Sequence, residues 1–185
     1  MGVRGKILAP LVLLAGLATG FAHASAAAVG SVSHREGSVV VAPAGATEWS
    51  EATPGRPVTG GDRLWTDPAA RAEVHLGGAV LRMDSEAFLE VADLGGGLFF
   101  GQLHEGALLA RVRTLAAGDQ LEIGTPHFSV RLLRAGDYRI DVDPARGTSR
   151  LTVRDGHAFV RGSKGQAVAV PATQQLEWTG SELRL

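Results

Sequence analysis

The feature that most limits what this chain can fold into is a period of two, repeated along most of its length. Ala72-Glu73-Val74-His75-Leu76 places Val74 and Leu76 on one face and Glu73 and His75 on the other. Tyr138–Asp143 and Leu151–Arg154 alternate in the same way. Such alternation is the pattern of a half-buried β-strand, because successive side chains of a strand point to opposite faces. Further short runs are Ser38–Val41, Ala79–Met83, Phe88–Val91, Leu98–Leu103, Ala107–Val112, Leu121–Ile123, Phe128–Leu133, His157–Val160 and Ala167–Val170. Turn makers separate them: Pro54-Gly55, Gly60-Gly61-Asp62, Gly77-Gly78, Gly95-Gly96-Gly97, Gly118-Asp119, Gly136-Asp137, Asp155-Gly156 and Lys164-Gly165. Glycine reaches positive φ without steric cost and aspartate bonds its own downstream backbone, so these pairs turn the chain for a physical reason. Asp84–Asp93 and Arg111–Ala117 each leave room for one helical turn, but no stretch sustains a 3.6-residue period. The pattern predicts an all-β, single domain of about a dozen short strands, sandwich- or solenoid-like.

The N-terminus follows a different grammar. Arg4 and Lys6 precede an apolar run from Ile7 to Ala18, and small-x-small sites follow at Ala22-His23-Ala24 and Ala24-Ser25-Ala26. This order is that of a secretory signal peptide, expected over residues 1–24, with residues 25–28 as a flexible lead-in. The apolar run is short for a bilayer, which asks for about 20 residues, and Pro10 and Gly16 weaken it as a permanent helix. A periplasmic protein with no stable membrane anchor after cleavage is the expectation. The chain has no cysteine, so it has neither disulfides nor a lipidated cysteine, and its stability must come from an apolar core. Cleavage after Ala24 removes two of the 18 basic residues and none of the 19 acidic ones, moving the net charge from −1 to about −3. With no basic cluster, nucleic acid is a poor partner.

Several segments together resemble the FecR domain family. They begin at Val29-Gly30-Ser31-Val32 and Glu36-Gly37-Ser38-Val39, run through Trp49 and Gly55, and reach Gly60-Gly61-Asp62-Arg63-Leu64-Trp65-Thr66. Arg71–Met83, the Gly106–Val112 strand, Ile123-Gly124-Thr125-Pro126, Gly136–Asp143 and Val153-Arg154-Asp155-Gly156 continue the likeness. A FecR-like β domain is thus expected over 29–170, with 171–185 as a C-terminal tail or last strand. The resemblance implies a receiving module. Its best-known members span the inner membrane, take a signal in the periplasm from an outer-membrane transporter, and act on a sigma factor through a short cytoplasmic segment. Here only six residues precede Ile7, so the expectation is a stand-alone exported relative that is not by itself an anti-sigma regulator.

No catalytic, cofactor-binding or metal site emerges from the residues. His34, His75, His104, His127 and His157 have no second histidine at ligand spacing. Glu73 and His75 share a strand face, which is ordinary for a solvated surface. Asp141-Val142-Asp143 opens like a calcium loop, but Ala145, Arg146 and Thr152 stand where a ligand, a glycine and a bidentate glutamate belong. Alternation explains both aspartates as outward residues of a strand. There is no nucleophile elbow, Ser38 and Ser129 lie in strand-like runs, and Gly95–Gly97 lacks the lysine of a phosphate loop. Trp49, Trp65 and Trp178 remain. A core place is expected for Trp65, although it is out of phase with Leu64 and would point outward if Leu64 points in. The leading expectation is a non-enzymatic envelope module without cofactors, binding a protein partner through sheet edges or an exposed aromatic. A carbohydrate- or peptidoglycan-binding module is the alternative.

Overall fold

A computed structural model describes residues 30–179 and 182–185, so the expected signal peptide and lead-in lie outside the described residues. Every regular element among the described residues is a strand, as the alternation predicts. They are β1 (Gly30–Glu36), β2 (Val39–Ala42), β3 (Ser50–Glu51), β4 (Pro57–Val58), β5 (Arg63–Thr66) and β6 (Arg71–Leu76). Then come β7 (Ala79–Met83), β8 (Phe88–Gly95), β9 (Leu98–Val112), β10 (Gln120–Gly124), β11 (Phe128–Leu132) and β12 (Gly136–Asp143). The last are β13 (Thr148–Val153), β14 (His157–Gly162), β15 (Ala167–Pro171), β16 (Gln175–Thr179) and β17 (Glu182–Arg184).

All seventeen join one hydrogen-bonded network, which β9 divides into two halves. The part of β9 from Leu98 to Glu105 pairs with β8, while the part from Gly106 to Val112 lies between β7 and β12. Half I therefore runs β4–β1–β6–β7–β9–β12–β13–β16–β17. Half II runs β3–β2–β5–β8–β9–β10–β11–β14–β15. Only the β9–β10 contact is parallel. Alternate residues of both halves enter a single apolar cluster: Val74, Leu81, Leu108, Ile140 and Leu151 from half I, Leu64, Leu89, Leu103, Ile123 and Val160 from half II. Phase explains the choice in the regularly alternating strands, which bury every second side chain; β12 does so over all eight residues.

One feature differs from the expected layout, and a second falls on the strand side of the tail-or-strand expectation for 171–185. Leu98–Leu103 and Ala107–Val112 form one strand rather than two, because Gly106 at φ +82° redirects the chain without ending it. The region after Val170 holds β16 and β17, and it adds Leu176 and Trp178 to the core. Neither Asp84–Asp93 nor Arg111–Ala117 forms a helix; the first becomes a turn followed by β8, the second the end of β9 and a loop.

Buried polar side chains and a glycine at positive φ fix several of the turns between strands. Asp62 is buried, and its Oδ2 accepts the Thr59 amide at 3.0 Å. The Thr66 hydroxyl, fully buried, donates to the Asp84 carbonyl at 2.6 Å and accepts the Ala87 amide at 2.9 Å, pinning the crossing from β7 to β8. Thr125 accepts from the Phe128 amide at 3.1 Å and donates to the Phe128 carbonyl at 2.9 Å, closing the turn before β11. Gly61 sits at φ +88°, and a Cβ there would lie 2.5 Å from that of Ala44. Gly61→Val is accordingly expected to cost about 1–3 kcal/mol from backbone strain, before the added crowding. Thermal unfolding should show a clearly lower midpoint with the β-type circular dichroism retained; an unchanged midpoint would refute the strain.

Candidate functional site

The outer face of half II carries an aromatic cluster. On β5, Leu64 and Thr66 point into the core, so Arg63 and Trp65 must point out. Trp65 is half-buried on that outer face, which corrects its expected core place; the phase relation with Leu64 decides its side. The β5–β8 register sets Trp65 opposite Phe88 and Arg63 opposite Glu90. A register shift between Phe88 and Leu89 on the β8–β9 ladder lets the His104 ring stack on Phe88, centroids 4.8 Å apart and planes 28° apart. Trp49, just ahead of β3, meets Phe88 edge-on at 6.3 Å, and Trp65 does the same at 6.3 Å. Phe88 is therefore the hub of three rings.

Polar groups fix the rings in place. The Trp65 indole N–H donates to Asp67 Oδ1 at 2.8 Å. Hydrogen bonds from the Ser38 hydroxyl and then from Trp65 hold the Asp67 carboxyl below its usual pKa, so it is an acceptor at neutral pH. The Arg63 guanidinium lies 5.4 Å from the Trp49 ring centroid and donates to the Ala46 carbonyl. That is cation–π geometry, and it orients an otherwise exposed indole. His104 Nε2 and Glu90 Oε2 are 3.1 Å apart. Trp49 remains 42% exposed, high for so large an apolar side chain. The assembly is a partly exposed aromatic surface rimmed by Arg63, Glu90 and His104.

The other candidates come apart on inspection. Trp178 is in the core, where His127 stacks on it at 5.7 Å. His127 Nδ1 lies 2.7 Å from Ser149 Oγ, a Ser–His pair that spans 22 residues of sequence. Ser149 is fully buried, and no carboxylate bonds the other ring nitrogen among the described residues, so the pair lacks the exposed nucleophile and the third member of a triad. A cleft of about 450 Å³ holds Asp84, Asp141, Asp143 and Glu177. These four carboxylates already have a guanidinium, Arg139 at 2.7 Å from Asp141, Arg150 at 2.9 Å from Glu177, Arg71 at 3.2 Å from Asp84 and Arg146 at 3.5 Å from Asp143, while Glu86 and Glu105 also line the cleft. Glu73 pairs with Arg82 at 2.6 Å rather than with His75. No cluster with metal-ligand geometry occurs among the described residues.

No family model and no curated protein matches this chain. Two crystal structures of a putative anti-sigma factor from Parabacteroides distasonis do, each with a TM-score of 0.58. Identity is 13% in one and 12% in the other, and each match covers 66% of this chain and 57% of that one. The chain thus spans just over half the length of the solved structures it matches. What such a likeness establishes is the fold: these strands follow a backbone path shared with that bacterial protein.

Proposed function

We propose that this chain is a non-catalytic, FecR-like module of the bacterial envelope that binds a protein partner in signal sensing or regulation. The Phe88-centred cluster carries the reading. Exposed Trp and Arg side chains fixed by their neighbours are the usual anchors of protein interfaces, where a few such residues supply most of the binding energy. Trp49 and Arg63 are held in advance by packing and hydrogen bonds, so little freedom is lost on binding. The backbone likeness to a putative anti-sigma factor supports a regulatory setting, and the FecR-like segments support the periplasm as the compartment. Edge-on ring packing around Phe88 makes no coplanar platform for a sugar face, which favours protein over carbohydrate.

The test is a photoreactive residue at position 49 in host cells. A discrete protein adduct is expected, and Trp49→Ala should weaken binding of that protein by about thirtyfold, the effect of losing about 2 kcal/mol at an anchor. The melting temperature should be nearly unchanged, since Trp49 is outside the core. Crosslinking to glycan strands instead of protein would favour the carbohydrate alternative and sink this one.

A further inference from the structure

The two halves have four edges, and three are protected in familiar ways. Strand β3 is two residues long and bears Glu51, which pairs with Arg35. Strand β4 is two residues long and starts with Pro57. Strand β17 has three residues, of which Glu182 and Arg184 are charged. Short length, proline and charge are the devices that stop an open edge from pairing with another chain. The fourth edge is different. Strand β15, Ala167-Val168-Ala169-Val170-Pro171, is five residues long and has no charge.

Its hydrogen-bond register shows which groups are free. Gly162 N donates to Gln166 O, so Gly162 and Gln166 are a directly bonded pair of the β14–β15 ladder. In an antiparallel ladder bonded pairs recur every second residue, which makes Val160–Val168 and Ala158–Val170 the next two. The N–H and C=O groups of Ala167 and Ala169 therefore point away from β14, and both residues are exposed. Among the described residues no backbone or side-chain group bonds them. Pro171 fits the same phase, because an edge position facing outward needs no N–H.

We propose that this edge pairs antiparallel with β15 of a second copy of the chain, on a two-fold axis through Val168. In this register each Ala167 bonds Ala169 of the other copy in both directions, so four hydrogen bonds satisfy all the free groups of the two alanines. A register centred on Ala169 is poorer: it sets Ala167 against Pro171, which has no N–H and whose carbonyl already accepts from Gln174. The side chains agree with the first register. On the inner face Val160 and Val168 continue into Val168 and Val160 of the second copy, covering a Val168 that is only half-buried. On the outer face Phe159 and Ala169 meet Ala167 and Arg161 of the second copy, so no like charges oppose each other. A single short strand buries less than a standard interface of about 1,600 Å², and the dimer is weak and concentration-dependent.

This association is separate from the Trp49 surface, which lies at the opposite edge of half II. The test is sedimentation of the purified full chain from about 1 μM to about 1 mM. A monomer–dimer equilibrium is expected, weakened at least about tenfold in Ala169→Pro. That substitution deletes an outward N–H, twice by symmetry, and spares the β14 ladder, so circular dichroism should not change. Trp49→Ala should leave the dimer constant as it is, which separates this result from the partner-binding test. A chain that stays monomeric throughout, or a dimer whose constant is the same in a folded Ala169→Pro variant, would overturn the proposal.

Discussion

Gly106→Ala should lower stability by about 3–5 kcal/mol, a large effect for one methyl group. At φ +82° the added Cβ falls 2.5 Å from the Ala87 Cα and 2.5 Å from the Glu86 carbonyl oxygen. Both are backbone atoms of the turn that leads into β8, so neither can rotate away. This is also where β9 passes from half II to half I, and a local shift would disturb both ladders. A domain of this size has about 5–15 kcal/mol in total, so the melting temperature should fall by roughly 10 °C. Gly45→Ala is the control: its φ is +72°, and nothing lies within 4 Å of the new methyl. Conformational strain alone, about 1 kcal/mol, should be seen there. Equal losses in the two variants would mean that the close approach to Ala87 is not the cause.

Tyr138→Phe is expected to cost about 1–3 kcal/mol through groups left without partners. From β12 in half I the buried phenol donates to the Arg134 carbonyl at 2.8 Å, with the His157 carbonyl of half II also near at 3.2 Å. It accepts the His157 amide at 3.0 Å. One oxygen thus ties the entry of β12 to the start of β14. Burial raises the Tyr138 pKa above the ordinary 10.0, because it penalises the phenolate. A raised value means that the fold favours the protonated form. Its contribution is complete below about pH 10 and is lost as pH rises through the folded value. Unfolding midpoints should therefore drop more steeply above pH 10 in the wild type than in Tyr138→Phe. Tyr138 is the chain's one tyrosine, so phenolate absorbance reports it alone. A phenolate titrating at 10 or below in the folded protein would contradict the burial argument.

Strand content was legible wherever alternation was long enough to set a phase. Ala79–Met83 matches β7 residue for residue, and the inward Tyr138, Ile140 and Val142 and outward Asp141 are as their spacing requires. Strand β9 was harder to see, because Gly101 and Gly106 interrupt its alternation while the backbone stays extended. β3 and β4 have two residues each, too few for any period to register. The aromatic cluster was half visible. Phase alone puts Trp65 outside once Leu64 is inside. Its neighbours could not be read, since Trp49, Phe88 and His104 come together through the pairing of β5, β8 and β9, and no local pattern encodes that register.

The double membership of β9 has a kinetic consequence. Hairpins such as β6–β7, β10–β11 and β12–β13 close over short loops and can form early. Strands β7 and β8, by contrast, each keep one side open until Leu98–Val112 arrives to fill both ladders. β10 then adds in parallel, which requires the chain to cross from one end of β9 to the other through the segment after Val112. Non-local pairing of this kind is slow, typically milliseconds to seconds for all-β domains. The nascent chain therefore passes through a stage in which its central ladders are open on two sides, and the emergence of β9 sets the moment at which both close.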